Sequence, residues 1–129
     1  MSGMLKFQQD VAAWCRRCFG LSVYSNRTER AHRFGEEALE LLQAAGVSKH
    51  EVLQLVDYVF SRPVGELKQE VGGTMVTLAA MCQVFGIKLN EAATQELHRC
   101  EINIEKIRAK HNAKPSFGPL PGSVDHHSV

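Results

Sequence analysis

The feature that most constrains this chain is the period of its apolar residues. They recur three and four positions apart in every long segment, and no run reads as a strand. That spacing gathers side chains on one face of an α-helix, whereas a half-buried strand needs a period of two. Phe7, Val11, Trp14, Cys15 and Cys18 define a helix over residues 6–19, which Gly20 ends. The polar link Ser25-Asn26-Arg27-Thr28 leads into a second helix through HRFGEEALELLQAA, with Thr28 as its cap and Gly46 as its stop. Ser48 and Glu51 form a capping-box pattern ahead of Val52, Leu55, Val56 and Val59, and Arg62-Pro63-Val64-Gly65 breaks that third helix. The stretch GELKQEVGGTMVTLAAMCQVFG predicts a long fourth helix ended by Gly86, and a final helix runs from an Asn90 cap to about residue 112. The expectation is an all-α bundle of four to five helices over residues 1–114. Residues 115–129, rich in Pro, Gly and Ser, predict an extended or disordered tail in which His126 and His127 are solvated.

Composition narrows the function classes. With 15 basic and 14 acidic side chains the net charge is +1, which lacks the basic footprint of a general nucleic-acid binder. No apolar run reaches the length of a bilayer span, and MSGMLKFQQD lacks a signal-peptide layout, so the expected compartment is the cytoplasm. Cys15 and Cys18 form a C-x-x-C, but the pair lies inside a helix with no second C-x-x-C. All four cysteines therefore read as structural rather than as zinc or redox ligands.

The informative chemistry is acidic. At about 100° per residue, Phe34, Ala38, Leu41, Leu42 and Ala45 share one arc of the second helix, and Glu36, Glu37 and Glu40 share the other. Like charges at that spacing cost roughly 0.2–0.5 kcal/mol per pair in an isolated helix, so solvent, salt or a cation must offset them. On the fourth helix Glu66, Glu70, Gly73, Thr74 and Thr77 line one stripe. Two helices facing along these stripes would offer the all-oxygen ligands that Mg²⁺ requires. Gly72 and Gly73 each cost about 1 kcal/mol against alanine inside a helix, and they would leave room for a ligand. A solvated acidic face is the plainer reading of the same spacing.

These residues resemble the MazG-like all-α NTP pyrophosphohydrolases. That family carries E-x-x-E on one helix and E-x-x-D on a later one. Glu37-Ala38-Leu39-Glu40 matches the first motif, with Glu36 before it; Glu70-Val71-Gly72-Gly73 aligns with the second, with Gly73 in place of the aspartate. HRFGEEALELLQA, DYVFSRPVGELKQEVGGTMVTLAAMC and IEKIRAKHNAKP follow in the order of one phage and bacterial subgroup, so the resemblance spans residues 14–115. It implies a helical bundle completed by dimerisation, as a homodimer or dimer of dimers. The implied activity is Mg²⁺- or Mn²⁺-dependent hydrolysis of a nucleoside triphosphate to monophosphate and pyrophosphate, in housecleaning of nucleotide pools. Glu37, Glu40 and Glu70 would hold the metal, and Glu36 or Glu66 would accept a proton from the attacking water. Lys106 and Lys110, with Asn103 nearly a turn earlier, would meet phosphate or sugar. Trp14 would stack on the base, although a core indole is the stronger reading of a lone tryptophan. Two rival expectations remain: a nucleotide-binding or regulatory protein weakened by the loss at Gly73, and a helical module whose acidic stripe pairs with a basic helix.

Overall fold

The computed structural model of the chain describes residues 3–114 and 118–122. Every regular element among them is helical: α1 (Gly3–Phe19), α2 (Leu21–Tyr24), α3 (Arg27–Ala44), α4 (Lys49–Phe60), α5 (Leu67–Phe85), α6 (Leu89–Ile102) and α7 (Ile104–Ala113). The all-α expectation is met, with two more helices than the periodicity predicts.

Both extra helices have local causes. Gly20 adopts φ 81 and ψ 163, a conformation that a side chain disfavours, so α1 stops and α2 starts anew from the Gly20 carbonyl. The expected single helix after Gly86 divides at Asn103. The Asn103 side-chain amide donates to the Arg99 carbonyl at 2.8 Å, and its backbone leaves helical geometry at φ −120 and ψ 27. A short amide that bonds the preceding turn competes with the helical ladder.

The caps differ in part from expectation. Asn26, not Thr28, caps α3: its side-chain oxygen accepts from the Glu29 N–H at 2.9 Å. Asn90 lies inside the first turn of α6, whose ladder opens with the Ala92 N–H on the Lys88 carbonyl. The Ser48–Glu51 capping box forms in both directions, at 3.1 and 2.8 Å. Gly86 ends α5 in the left-handed region while the Ile87 N–H returns to the Cys82 carbonyl.

The chain divides into two compact units, Met1–Ala38 with Thr94–Val129, and Leu39–Ala93. In the first, α1 packs against α2 and α7. Cys15 and Cys18 are buried beneath it, and Arg108 of α7 donates to the Cys18 and Arg17 carbonyls at 2.8 and 2.9 Å. That guanidinium satisfies carbonyls that the end of α1 would otherwise leave open. Part of the tail belongs to this unit: Arg33 donates to the Pro119 carbonyl, and Gly122 is buried. Residues 115–117 and 123–129, including His126 and His127, lie outside the described residues.

The second unit holds α4 and α5 and shows little core of its own; among its described side chains only Cys82 is buried. The apolar face of α4 stands in solvent, with Val59 56% and Phe60 85% exposed. On α5 no charged residue follows Glu70, yet Leu67 is 80% and Val84 83% exposed. A helix apolar around most of its circumference is ordinarily an interior element. No single helix among the described residues is long and apolar enough to cross a membrane.

Candidate functional site

The E-x-x-E segment lies within one unbroken helix. α3 runs without a kink residue from Arg27 to Ala44, so Glu37 and Glu40 keep their three-residue spacing and are both exposed, with Glu36 half-buried. Arg99 of α6, ion-paired chiefly with Glu96, also feels the Glu37 charge. Glu36 and Glu37 fall in the first unit, and Glu40, Glu66 and Glu70 in the second.

Glu66 and Glu70 occupy different positions at the start of α5. Glu66 precedes the helix as its N-cap, and its two carboxylate oxygens accept from the Lys68 and Gln69 N–H groups at 3.0 and 2.7 Å. A carboxylate there satisfies orphan donors and meets the positive end of the helix dipole. Glu70 lies in the first turn, and its carboxylate folds back over Gly65. A Cβ at position 65 would overlap Glu70 Oε1 and stand 3.2 Å from Cδ. Gly65 thus leaves room for this placement of the Glu70 carboxylate, a feature that periodicity does not reveal. At Gly72 and Gly73 an added Cβ would meet nothing within 4 Å, so the stripe is open at these two positions. Thr74 and Thr77 turn their hydroxyls to the Glu70 and Gly73 carbonyls at 2.8 and 3.0 Å, back-bonding their own helix. Among the described residues no group of three or more His, Cys, Asp or Glu side chains lies close enough together to hold a metal ion.

The predicted substrate contacts are distributed over α1 and the α6–α7 region. Lys106 and Lys110 are exposed on α7. Asn103 sits at the break before α7, with its amide nitrogen on Arg99. Trp14 is half-buried; it donates Nε1–H to the Cys100 carbonyl at 3.0 Å and meets Phe19 edge-on at 5.8 Å.

Both thiols of the C-x-x-C are buried in the first unit. Cys15 accepts from Arg30 at 2.8 Å and Cys18 lies against the Ile104 carbonyl. Burial pushes both thiols above the ordinary range, which opposes thiolate chemistry. Burial, followed by the Glu96 carboxylate beside it, pushes the Cys100 thiol up to about 11.

A second cluster of charge joins α3 to α7; the run Arg27, Arg30 and Arg33 reads in the sequence as a basic patch or as partners of nearby glutamates, and Arg30 and Arg33 pair with Glu29. Glu29 and His111 are 7% and 9% exposed in the first unit, beside Arg30 and Arg33. Arg30 lies 5.6 Å over the Phe19 ring, whose centroid is 4.9 Å from that of His111. The signal present in the sequence was the Glu29–Arg33 spacing of four, which places the pair on one helix face.

No family model, curated protein or solved structure matches this chain.

Proposed function

We propose that the chain is a MazG-like, Mg²⁺-dependent nucleoside triphosphate pyrophosphohydrolase, releasing a nucleoside monophosphate and pyrophosphate. The observation that carries the reading is the Glu70 carboxylate, lying over Gly65 at the head of α5, together with an unbroken E-x-x-E on α3. The ligands that the resemblance implies, Glu37, Glu40 and Glu70, would each offer carboxylate oxygen, the hard ligation that Mg²⁺ takes. A bound Mg²⁺ would supply charge neutralisation on the phosphates. Of the two candidate proton acceptors, Glu36 is favoured, because both oxygens of Glu66 already accept backbone N–H groups. Lys106 and Lys110 would attract the polyphosphate, and a cytoplasmic setting suits such a substrate.

The working form would be a homodimer or a dimer of dimers. The exposed apolar face of α4 and the largely uncharged α5 support this, since fully burying one Val, Leu or Phe side chain is worth about 1.5–3 kcal/mol. A second reading follows from Gly73: a nucleotide-binding or regulatory protein that lost turnover with the motif aspartate. The open space around Gly73, where no described side chain takes the aspartate's place, favours it.

Pyrophosphate release from a panel of NTPs and dNTPs with Mg²⁺ separates the two. Metal-dependent release that collapses in Glu40→Gln supports the enzyme. Nucleotide binding by folded protein without release supports the weakened binder.

A further inference from the structure

Arg30, Arg33 and His111 form the most unbalanced polar cluster among the described residues. The side chains of Arg30 and Arg33 are 30% and 18% exposed, and one carboxylate, Glu29, serves both. Its Oε1 lies 3.7 Å from Arg30 Nη2 and 3.4 Å from Arg33 Nε, ion-pair contacts too long for good hydrogen bonds. Arg30 Nε and Nη2, Arg33 Nε and Nη1, and His111 Nε2 are buried without a hydrogen-bond partner, and so is one acceptor, Glu29 Oε1, which leaves more open nitrogens than its lone pairs can serve. Lys114, at the end of α7, adds a further positive charge within electrostatic reach of His111. Three cations face one carboxylate.

Such an arrangement is costly as it stands. A buried polar group without a partner forfeits its hydration, and a buried charge more so. The arginines partly relieve this with Cys15 Sγ, the Phe19 ring and the Pro119 carbonyl, all neutral partners. Guanidinium groups pair best with carboxylate or phosphate, whose oxygens match their fork of donors. A dianionic tetrahedral oxyanion would balance the charge excess and offer acceptors to several of the open donors. A single carboxylate brings one charge and two oxygens and leaves the excess half compensated.

We propose that Arg30, Arg33 and Lys114, around buried His111, form a metal-independent binding site for a phosphoryl oxyanion, over which residues 118–122 lie as a cover. Arg33 is the link between cover and site, since it holds the Pro119 carbonyl from across 86 positions of sequence. Entry of the anion exchanges that neutral acceptor for a charged one. The site uses none of Glu37, Glu40 and Glu70 and requires no Mg²⁺, so it stands apart from the catalytic proposal.

The test is a ³¹P NMR titration of the full chain in EDTA, with inorganic phosphate, pyrophosphate and a nucleoside monophosphate as separate probes and acetate as the competitor. The expected result is saturable binding of at least one phosphoryl probe that acetate does not displace. Arg33→Gln should weaken it roughly tenfold or more, the worth of a charge-assisted hydrogen bond. Preference for the monophosphate over inorganic phosphate would identify a nucleotide source, and the reverse would identify the free ion. Circular dichroism checks the fold of the variant. If Arg33→Gln does not fold, Lys114→Ala, at the helix end, carries the same test with a smaller loss. No saturable binding by wild type, or equal binding by folded variants, overturns the proposal.

Discussion

Replacing Gly65 with alanine should separate stability from metal chemistry. The Gly65 backbone is not among the left-handed glycines, so alanine fits the conformation. The new Cβ would overlap Glu70 Oε1 and stand 3.2 and 3.4 Å from Cδ and Cγ. All three atoms belong to the far part of one flexible, exposed side chain, which can swing away at little cost. Glycine-to-alanine changes at compatible sites contribute about 0.4–1 kcal/mol by restricting the unfolded chain. Stability should therefore stay level or rise by up to about that amount. The Glu70 carboxylate, in contrast, must retreat by about 1 Å to reach an ordinary contact distance. A displacement of that size in a reacting assembly can cost roughly a hundredfold in rate. Chemical denaturation with and without Mg²⁺ reads the two effects side by side with Mg²⁺-dependent pyrophosphate release. Gly65→Ala should show an unchanged or higher midpoint without metal, a smaller Mg²⁺-induced shift and a large loss of release. Full metal response and release in Gly65→Ala would refute the claim that a working Glu70 needs the room Gly65 leaves. A loss of more than about 1 kcal/mol would refute the claim that the clash is confined to a flexible side chain.

Other perturbations probe separate layers. Gly73→Asp adds a carboxylate in open space, so it should fold normally and, if the proposed function holds, raise Mg²⁺-dependent release or Mg²⁺-induced stabilisation; a folded variant with neither would remove position 73 from the metal proposal. Ser48→Ala deletes the hydroxyl that accepts from the Glu51 N–H, leaving only the Ser48 backbone arm of the α4 capping box, and should cost about 0.5–2 kcal/mol in urea denaturation. Val59→Lys places a charge on the exposed apolar face of α4 and should shift a dimer toward monomer by light scattering; an intact dimer would show that this face is not the contact. The Cys100 thiol, raised from 9.0 to about 11 by burial, stays protonated in the folded state where the unfolded chain would ionise. Its contribution is complete below about pH 9 and is lost as pH rises through about 11, so Cys100→Ser should flatten the loss of stability across that window.

Helicity and several element ends were legible without coordinates because they are decided within one or two turns. The three- and four-residue spacing makes an apolar face locally, Gly46 and Gly86 stop helices locally, and Ser48 with Glu51 closes a capping box three residues wide. The E-x-x-E spacing is likewise a property of one helix, and α3 preserves it. Other features depend on atoms distant in sequence or on competing local bonds. Asn103 divides the final helix because its amide can bond the Arg99 carbonyl, and Asn26 wins the cap of α3 over Thr28. The Trp14 N–H is satisfied by the Cys100 carbonyl, 86 positions away. Arg108 is committed to the end of α1, and Arg33 to Pro119, by the same long-range closure. Periodicity assigns a side chain to a face, but it does not say which backbone atom or charge will stand opposite. The buried Glu29–Arg30–Arg33–His111 cluster therefore exists only once α3 and α7 are folded into one unit, since burial, not composition, strips those donors of water.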